Sequence, residues 1–297
     1  MTYDLIIVGG GPAGITAAIY ASRKQLKTLL ITSDFIGQVG LTGPIENWPG
    51  EPCIKGSDLA DKFEQHLREQ DLDILEEPVT SITAQPDTFK VATEDEEFSA
   101  RATLLATGRK PRQLNVPGEQ EFIGKGVVYC TTCDAPIYKD KKVIIVGGGN
   151  YGFASAIEMT DYASDVSLLE SSDSFSADGI LQQRAKAKGV KTYTDLTVTE
   201  IIGDEFVTAA KLSDDTTEPV DGVFIDIGSL PNTDIAPEEV HKNDQGEIII
   251  DPQTNQTNVP GLYAAGDATD IPYKQIVTST GEGAKAALSI YDYLQSQ

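Results

Sequence analysis

The residues with the clearest chemistry are two cysteines separated by two threonines, in Cys130-Thr131-Thr132-Cys133. This spacing lets the two thiols close a small ring, and such pairs undergo thiol–disulfide exchange through a lowered thiol pKa. Asp134 follows directly and can pass protons to and from a thiolate, although a solvated turn residue is an equally good interpretation. We therefore predict that Cys130, Cys133 and Asp134 form a redox-active catalytic group.

Half of a zinc site is the main alternative for such a cysteine pair. Zinc would need two further ligands, and besides carboxylates the chain offers only Cys53, His66 and His241, none with partner spacing. We expect no bound metal. Cys53, between Pro52 and Ile54, is expected to be a small buried apolar residue rather than a reactive thiol.

A glycine-rich motif near the N-terminus indicates a dinucleotide site. Gly9-Gly10-Gly11-Pro12-Ala13-Gly14 lies between an apolar run at 3–8 and a stretch of helical composition at 15–21, and a second apolar run follows at 26–32. In such a strand–helix–strand unit, backbone N–H groups at the helix start reach a pyrophosphate, and the glycines permit the tight turn and the close approach. The position suits FAD, because a carboxylate at the end of a later strand can complete the site.

That carboxylate is predicted to be Asp267, which follows Gly266 at the end of the apolar segment 259–265. In this position Asp267 is placed to hydrogen-bond the ribityl chain of the flavin. The alternative interpretation is a helix N-cap before Ala268.

The strand–glycine–helix pattern begins again at residue 143. An apolar strand at 143–146 leads into Gly147-Gly148-Gly149-Asn150-Tyr151-Gly152, a helical stretch, and a strand at 166–169. The two motifs start 138 residues apart, at Gly9 and Gly147, and this internal repeat predicts two dinucleotide-binding domains of common ancestry. The repeat therefore predicts an α/β fold class with two Rossmann-like domains of three ββα layers, and the family resemblance described below implies that the second is inserted in the first.

The remaining elements are predicted from periodicity and composition. Further elements are a helix at 57–70, a small antiparallel sheet within 74–107 that ends in a strand at 102–106, a strand within 259–267 that stops at a glycine and a carboxylate, a closing helix at 283–294, and linkers at 109–118 and 228–237.

Composition excludes several classes of function. The 297-residue chain has 23 Lys+Arg against 46 Asp+Glu, a formal net charge of −23, and a surface this acidic repels nucleic acid. No apolar run approaches the roughly 20 residues that a membrane helix needs, and the first residues lack the pattern of a signal peptide. Three cysteines are too few for a secreted disulfide framework, so a reducing cytoplasm is expected.

Six short motifs occur in one order along the chain. They are GGGPAG at 9–14, ENWPG at 46–50, ATG at 106–108, CTTCD at 130–134, GGGN at 147–150 and AAGD at 264–267. Together they resemble the low-molecular-weight thioredoxin reductases, class II of the FAD-dependent pyridine nucleotide-disulfide oxidoreductases. The resemblance implies an FAD-binding domain made of 1–113 and 245–297, an inserted NAD(P)-type domain at 114–244 that carries the cysteine pair, and a homodimer.

The resemblance also implies roles for individual residues. Cys133 would face the flavin and receive its electrons, Cys130 would attack the disulfide of the protein substrate, and Asp134 would exchange protons. The residues that would contact FAD are Gly9, Gly11, Pro12, Ala13, Gly14, Gln38, Asn47, Thr107, Gly108, Gly266, Asp267, Gln275 and Ile276.

One segment departs from this family in a way that concerns the electron donor. The family has a His-Arg-Arg run, and another arginine soon after it, that grip the 2′-phosphate of NADPH. The aligned stretch here, Glu170-Ser171-Ser172-Asp173-Ser174-Phe175-Ser176, has no basic residue. A carboxylate such as Glu170 can hydrogen-bond a free ribose hydroxyl but repels a phosphate, so NADPH is disfavoured. Tyr151 and Phe153 are expected to fill the space of a nicotinamide.

These departures resemble a deep-branching subgroup that lacks a working NADPH site and of which some members use ferredoxin. An acidic ferredoxin would need a basic patch, and two candidates are Arg109 with Lys110 and Arg112, and Lys139 with Lys141 and Lys142. For both clusters, an ordinary solvated loop is the alternative interpretation.

Three functions are compatible with these residues. The leading one is a cytoplasmic FAD-dependent reductase of thioredoxin or a similar protein disulfide, with NADH, ferredoxin or another donor rather than NADPH. A dithiol oxidase that passes electrons through FAD to oxygen is the second. A flavin-containing redox sensor without turnover is the third.

Overall fold

The computed structural model describes residues 2–35, 37–40, 44–45, 47–129 and 131–297. These residues form two compact units. The first contains the chain up to Gly40, Pro44–Lys110 and Leu230–Gln297, and the second contains Pro111–Ser229. The chain thus returns to the first unit before the boundary at 244/245 that the sequence suggested. The assignment of a particular cofactor to each unit stays a prediction.

The helices of the described residues are α1 (Pro12–Arg23), α2 (Gly37–Gly40), α3 (Gly56–Arg68), α4 (Thr131–Asp134), α5 (Asn150–Met159), α6 (Gly179–Ala187) and α7 (Ile276–Gln295), with 3-10 turns at Ala135–Tyr138 and Gly266–Ala268. Among these described helices, none is both long enough and apolar enough to cross a membrane.

The strands of the described residues are β1 (Thr2–Val8), β2 (Thr28–Thr32), β3 (Pro44–Ile45), β4 (Ile54–Lys55), β5 (Asp73–Glu76), β6 (Ser81–Ala84), β7 (Phe89–Ala92), β8 (Glu97–Leu105), β9 (Arg109–Pro111), β10 (Val127–Val128), β11 (Lys142–Val146), β12 (Asp165–Leu169), β13 (Lys191–Tyr193), β14 (Val198–Gly203), β15 (Val207–Leu212), β16 (Thr217–Pro219), β17 (Gly222–Ile225), β18 (Ser229–Pro231) and β19 (Leu262–Ala264).

The first unit is built on a mixed sheet of order β5-β2-β1-β8-β7-β6, with β19 beside β8. β1, β2, β5, β8 and β19 are parallel, whereas β6 and β7 form an antiparallel extension. Alternate residues of β1 face opposite sides, so Leu5 and Ile7 pack against α1 and α7 while Ile6 and Val8 lie in a second core. Because the parallel strands end at one edge, the residues after Val8, Leu105 and Ala264 meet there.

The second unit repeats this plan with a sheet of order β10-β17-β11-β12-β13 that is parallel throughout. Phe153 and Met159 of α5 are buried in the core on one face. The antiparallel strands β14, β15 and β16 supply the core on the other face, including Ile201 and Val207. These helix, sheet and sheet layers confirm the predicted α/β class with two Rossmann-like domains, the second inserted in the first.

Two element predictions need correction. α7 begins at Ile276, seven residues before the predicted start, because Gln275 and Thr278 form a reciprocal capping box that sets the N-terminus there. Within 74–107, β5 pairs in parallel with β2, so the antiparallel part is confined to β6, β7 and the start of β8.

Candidate functional site

The first glycine motif joins β1 to α1, and two of its glycines, Gly9 and Gly14, make the closest backbone contacts. Gly9 has φ +115°, and a Cβ atom there would lie 2.3 Å from the carbonyl oxygen of Ala106. A Cβ atom on Gly14 would lie 1.9 Å from the carbonyl oxygen of Gly9. These two glycines therefore serve the close packing of β1, α1 and the end of β8.

Gly11 is different, because a Cβ atom on it would meet no protein atom within 4 Å. It is the N-cap of α1, whose first turn has Pro12 and no acidic residue. The preceding Gly10 N–H donates to the neutral hydroxyl of Thr32 at 2.9 Å. A helix N-terminus attracts anions, and here the space beside its N-cap glycine is free and its first turn has no carboxylate. These residues therefore fit the pyrophosphate of FAD.

The predicted carboxylate lies at the same edge of this sheet. Asp267 follows β19 in a 3-10 turn, and Ser279 Oγ of α7 donates to its Oδ1 at 3.2 Å. Burial raises the pKa of Asp267, and the Ser279 hydroxyl opposes that rise. A Cβ atom on Gly283 of α7 would lie 2.1 Å from the carbonyl oxygen of Ala13, so α7 crosses the start of α1 at backbone contact.

A buried glutamate that sequence reasoning missed holds this turn. Glu282 of α7 is 7% exposed, and its Oε2 accepts the N–H of Gly266 at 2.8 Å and the hydroxyl of Thr269 at 3.4 Å. Gly266 has φ +77°, a conformation that favours glycine. Burial raises the pKa of Glu282, whereas the Gly266 N–H opposes that rise.

The other predicted FAD contacts lie in the first unit, some of them paired with one another. Asn47 Nδ2 donates to Gln275 Oε1 at 3.1 Å, and the Gln38 side chain donates to the carbonyl oxygen of Arg109 at 3.3 Å. Thr107 Oγ1 donates to the carbonyl oxygen of Asn232 at 2.6 Å. Gly108 has φ +63° and open space at its Cβ position, and Ile276 packs beside the small core of Val39, Ile45, Ile54, Leu59 and Ala60.

A charged network near Asp267 was also missed, because its members are far apart in sequence. Glu247 is 7% exposed, and its Oε1 lies 2.9 Å from Arg109 Nη1 and 3.1 Å from Lys274 Nζ. Arg109 Nη1 also donates to the carbonyl oxygen of Asp267 at 3.4 Å. Burial opposes ionisation of Glu247, but hydrogen bonds from Asn243 and Lys274 outweigh it and lower the pKa.

The second glycine motif has the same backbone geometry as the first. A Cβ atom on Gly147, which has φ +132°, would lie 2.2 Å from the carbonyl oxygen of Asp226, and one on Gly152 would lie 1.9 Å from that of Gly147. Gly149 is again the N-cap, and the nearest atom to its Cβ position is Ser176 Oγ at 3.6 Å.

The polar surroundings of the second motif differ from those of the first. Gly148 N–H donates to the carboxylate of Glu170 at 2.6 Å, where Gly10 uses a neutral hydroxyl. Burial of Glu170 opposes ionisation, but N–H groups of Ser172 and Gly148 outweigh it and lower its pKa. Asn150 binds Asp178 twice, accepting its N–H at 2.7 Å and donating to Oδ2 at 3.2 Å. Two carboxylates thus lie at the second loop.

The two aromatic residues expected to fill a nicotinamide space do not act together. Phe153 is fully buried and meets Phe175 edge-to-face with ring centroids 5.2 Å apart, because its position on α5 faces the sheet. Tyr151, on the opposite side of the helix, is 74% exposed. The expectation for Phe153 is wrong.

The dithiol segment is described only in part. Cys130 lies outside the described residues, and Cys133 belongs to α4. Asp134 ends α4, and burial raises its pKa. It lines a cavity of about 150 Å³ together with the residues Gly124, Lys125, Gly126, Val128, Ile137, Tyr138, Lys141, Phe206, Val207 and Asp221. The roles of these cysteines remain predictions.

One further expectation concerns a single residue. Cys53 is exposed, contrary to the prediction that it is buried, because it lies in the short connection before β4.

Two members of the first basic cluster form ion pairs: Arg109 with Glu247, and Lys110 with Asp234 at 2.6 Å. Within the described chain, no group of three or more His, Cys, Asp or Glu side chains is arranged to hold a metal ion.

The sequence matches the family model described as pyridine nucleotide-disulphide oxidoreductase over residues 3–286. It is 42% identical over 304 residues to the F component of alkyl hydroperoxide reductase of Xanthomonas campestris pv. phaseoli, an alignment that covers 98% of this chain and 57% of the relative. The chain therefore spans less than three fifths of the length of that curated relative.

Solved structures give matches over the whole chain. The Lactococcus lactis thioredoxin reductase is 32% identical with a TM-score of 0.90, covering 99% of this chain and 100% of that one. The T. acidophilum thioredoxin reductase is 35% identical with a TM-score of 0.87 and 98% coverage of both. A ferredoxin-flavin thioredoxin reductase from Clostridium acetobutylicum is 31% identical with a TM-score of 0.56, covering 100% and 99%. The predicted resemblance to thioredoxin reductases is confirmed.

Proposed function

The chain belongs to the pyridine nucleotide-disulphide oxidoreductase family, and we propose that it reduces the disulfide of thioredoxin or a similar protein through Cys130 and Cys133. Membership makes it an FAD-dependent disulfide oxidoreductase. The observation that carries the finer proposal is the C-x-x-C-D sequence, which lies along the chain after the open first glycine loop and before the second glycine loop with its carboxylates.

Residues of the first unit would hold the cofactor. The N–H groups at the start of α1, with Gly11 as the open position, would receive the pyrophosphate, and Asp267 would bind the ribityl hydroxyls. Ser279 and the Arg109–Glu247 pair keep Asp267 and its turn in position. When bound, FAD supplies two-electron transfer, which regenerates the dithiol from its disulfide.

The dithiol chemistry follows from the exchange of sulfur bonds. The Cys130 thiolate attacks the disulfide of the partner protein, forms a mixed disulfide and releases one partner thiolate. The Cys133 thiolate then attacks Cys130, which closes the Cys130–Cys133 disulfide and frees the second partner sulfur. Asp134 would supply protons to departing thiolates, and its raised pKa suits a group that holds a proton closer to neutral pH.

We further propose that NADPH is not the electron donor. Glu170 and Asp178 place two carboxylates at the second glycine loop, and Asp173 adds a third nearby in sequence. A 2′-phosphate would meet repulsion where the wider family supplies arginines. Among the solved neighbours, the Clostridium acetobutylicum protein is named for ferredoxin, which makes a reduced ferredoxin the donor to test first.

Such a donor would need a local basic surface on this acidic chain. Lys139 and Lys142 are exposed, and Lys125 and Lys141 line the cavity beside Asp134. The second cluster, Lys139 with Lys141 and Lys142, is the better candidate, since Arg109 and Lys110 of the first cluster are already engaged by Glu247 and Asp234. The exposed Ile137, which lines the same cavity, offers an apolar contact for a protein partner.

A second acceptor is suggested by the curated relative, whose identity of 42% exceeds that of the solved thioredoxin reductases. That relative is named as a component of an alkyl hydroperoxide reductase. The alternative acceptor is therefore a disulfide in a peroxide-reducing partner protein, reached by the same exchange steps.

The test is the Cys130→Ser variant, with Cys53→Ser as the matched control because Cys53 is an exposed thiol outside the motif. Cys130→Ser should be yellow as purified, which shows that it binds FAD, but after chemical reduction of the flavin it should not reduce thioredoxin. Cys53→Ser should retain the wild-type rate. A wild-type rate for Cys130→Ser would overturn the assignment.

A further inference from the structure

A buried carboxylate in the first unit joins two cations from separate parts of the chain. Glu247 is buried, and its Oε1 lies 2.9 Å from Arg109 Nη1 and 3.1 Å from Lys274 Nζ. The proposed chemistry uses none of these three residues as a contact of FAD or of the partner protein. Burying charged groups is costly even when they are paired, so a shared buried carboxylate calls for an explanation.

The glutamate is held in place by its own loop. Asn243 Nδ2 donates to Glu247 Oε2 at 2.8 Å, and the N–H of Glu247 donates to Asn243 Oδ1 at 3.0 Å. The next residue, Ile248, donates its N–H to the carbonyl oxygen of Ala268 at 2.9 Å, and its carbonyl oxygen accepts the N–H of Asp270 at 3.0 Å. Glu247 is therefore fixed against the 3-10 turn that follows β19.

Arg109 connects Glu247 with one part of the predicted FAD site. It directly follows Thr107 and Gly108, two of the predicted FAD contacts, and it begins β9. Its Nη1 also donates to the carbonyl oxygen of Asp267 at 3.4 Å. The guanidinium thus contacts the backbone of the residue that is predicted to bind the ribityl chain.

Lys274 reaches the same turn from a later segment. It directly precedes Gln275 and Ile276, two further predicted FAD contacts at the start of α7. Its Nζ donates to the carbonyl oxygen of Thr269, in addition to its ion pair with Glu247. Glu247 is therefore the shared counter-ion of two cations, each of which is next in sequence to predicted FAD contacts.

The charges of this group balance when both of its carboxylates are ionised. Burial opposes ionisation of Glu247, but hydrogen bonds from Asn243 and Lys274 outweigh it and lower the pKa, so Glu247 is charged at neutral pH. Burial raises the pKa of Asp267, and the hydroxyl of Ser279 and both cations oppose that rise. Loss of the charge of Glu247 would leave two cations opposite one carboxylate.

We propose that Glu247 is a positioning residue for FAD that acts through Arg109 and Lys274, holding both cations beside the flavin and, by balancing their charge, lowering its reduction potential. Two-electron reduction of FAD with uptake of one proton leaves the flavin with one more negative charge. Nearby cations stabilise that reduced form, and a carboxylate opposes them. This inference rests on the proposed function, since it places FAD at these segments.

The test is the midpoint potential of bound FAD at pH 8, measured without oxygen by equilibration with a dye of known potential while the flavin absorption band is followed. The variants are Glu247→Gln, which keeps an acceptor oxygen but removes the charge, and Lys274→Gln, which removes one cation. The matched control is Glu238→Gln, which removes the charge of an exposed glutamate in the same unit.

At the wild-type midpoint potential, Glu247→Gln should hold about ten times more reduced than oxidised flavin, which is an upward shift of about 30 mV for a two-electron couple. Lys274→Gln should shift the potential downward, and Glu238→Gln should keep the wild-type value. General loosening of the site would not give opposite signs. Wild-type potentials in both variants, or shifts of the same sign, would overturn the inference.

Two features of this design keep the result decisive. If Glu247→Gln does not fold, Lys274→Gln decides alone, and a potential equal to or above that of wild type would overturn the inference. The measurement needs no physiological donor, no partner protein and no turnover of the cysteines. Its failure is therefore distinguishable from failure of the proposed function, which the Cys130→Ser experiment reports.

Discussion

The two glycine loops lead to a paired prediction about alanine substitutions. Gly11 and Gly149 are equivalent N-caps with φ −80° and −90°, which alanine adopts without strain. Neither Cβ position comes closer than 3.6 Å to any protein atom. Alanine is a poorer N-cap than glycine, so Gly11→Ala and Gly149→Ala should lower the free energy of unfolding of the apoprotein by similar and small amounts, about 1 kcal/mol or less each.

Only one of the two substitutions should affect cofactor binding. If the pyrophosphate of FAD lies against Gly11, the added methyl overpacks a close contact, which costs about 1–3 kcal/mol. That loss corresponds to roughly a 5- to 150-fold weaker FAD affinity, measured by quenching of flavin fluorescence on titrating the apoprotein. Gly149→Ala should leave FAD affinity unchanged, and with reduced ferredoxin as the electron donor it should also leave turnover unchanged, because neither step uses the second loop.

Gly14→Ala is the contrasting case within the same motif. Its Cβ atom would lie 1.9 Å from the Gly9 carbonyl oxygen, so the variant should lose stability as an apoprotein before FAD is added. Wild-type FAD affinity in Gly11→Ala would contradict the prediction. A loss of flavin reduction by reduced ferredoxin in Gly149→Ala, as large as the loss of FAD affinity in Gly11→Ala, would also contradict the prediction.

Three further predictions concern buried carboxyl groups. Burial raises the pKa of Asp226 to about 6 in the folded protein, so the free energy of unfolding of Asp226→Asn should rise relative to wild type between about pH 4 and pH 6, by at most ~3 kcal/mol. Urea titrations of both proteins at each pH measure this difference, and a difference that does not change with pH would contradict the prediction. Glu282→Ala should weaken FAD binding about tenfold by freeing the Gly266 N–H, whereas Glu282→Gln, which keeps an acceptor, should bind nearly normally in the same fluorescence assay. Glu247→Gln should lower the free energy of unfolding at pH 7 by about 3 kcal/mol or more, because Arg109 and Lys274 lose their counter-charge. The difference from wild type, measured by urea titration, should become smaller as the pH falls through the lowered pKa of Glu247, because wild-type Glu247 then becomes neutral as well.

Local patterns were sufficient to predict the elements that carry the glycine motifs. Apolar runs before Gly9 and Gly147 form β1 and β11, and the helices that follow begin at Pro12 and Asn150. These elements are predictable because a buried parallel strand and a glycine turn each leave a short-range signal. The start of α7 was missed because its capping box depends on Gln275 and Thr278, outside the apolar pattern.

The supporting residues of the site could not be found from local patterns. Glu282 reaches Gly266 from another element, and the Arg109–Glu247 pair joins residues 138 positions apart, so neither contact leaves a signal in a short window. The burial of Phe153 depends on which face of α5 meets the sheet.

The most direct test of the proposed function is reduction of the flavin under anaerobic conditions. Purified protein reconstituted with FAD is mixed in separate experiments with NADPH, NADH and a reduced ferredoxin, and the flavin absorption band is followed in time. We expect rapid bleaching by reduced ferredoxin, followed by thioredoxin reduction that requires Cys130, and no rapid bleaching by NADPH. Rapid bleaching by NADPH would contradict the proposal that the carboxylates of Glu170 and Asp178 exclude a 2′-phosphate.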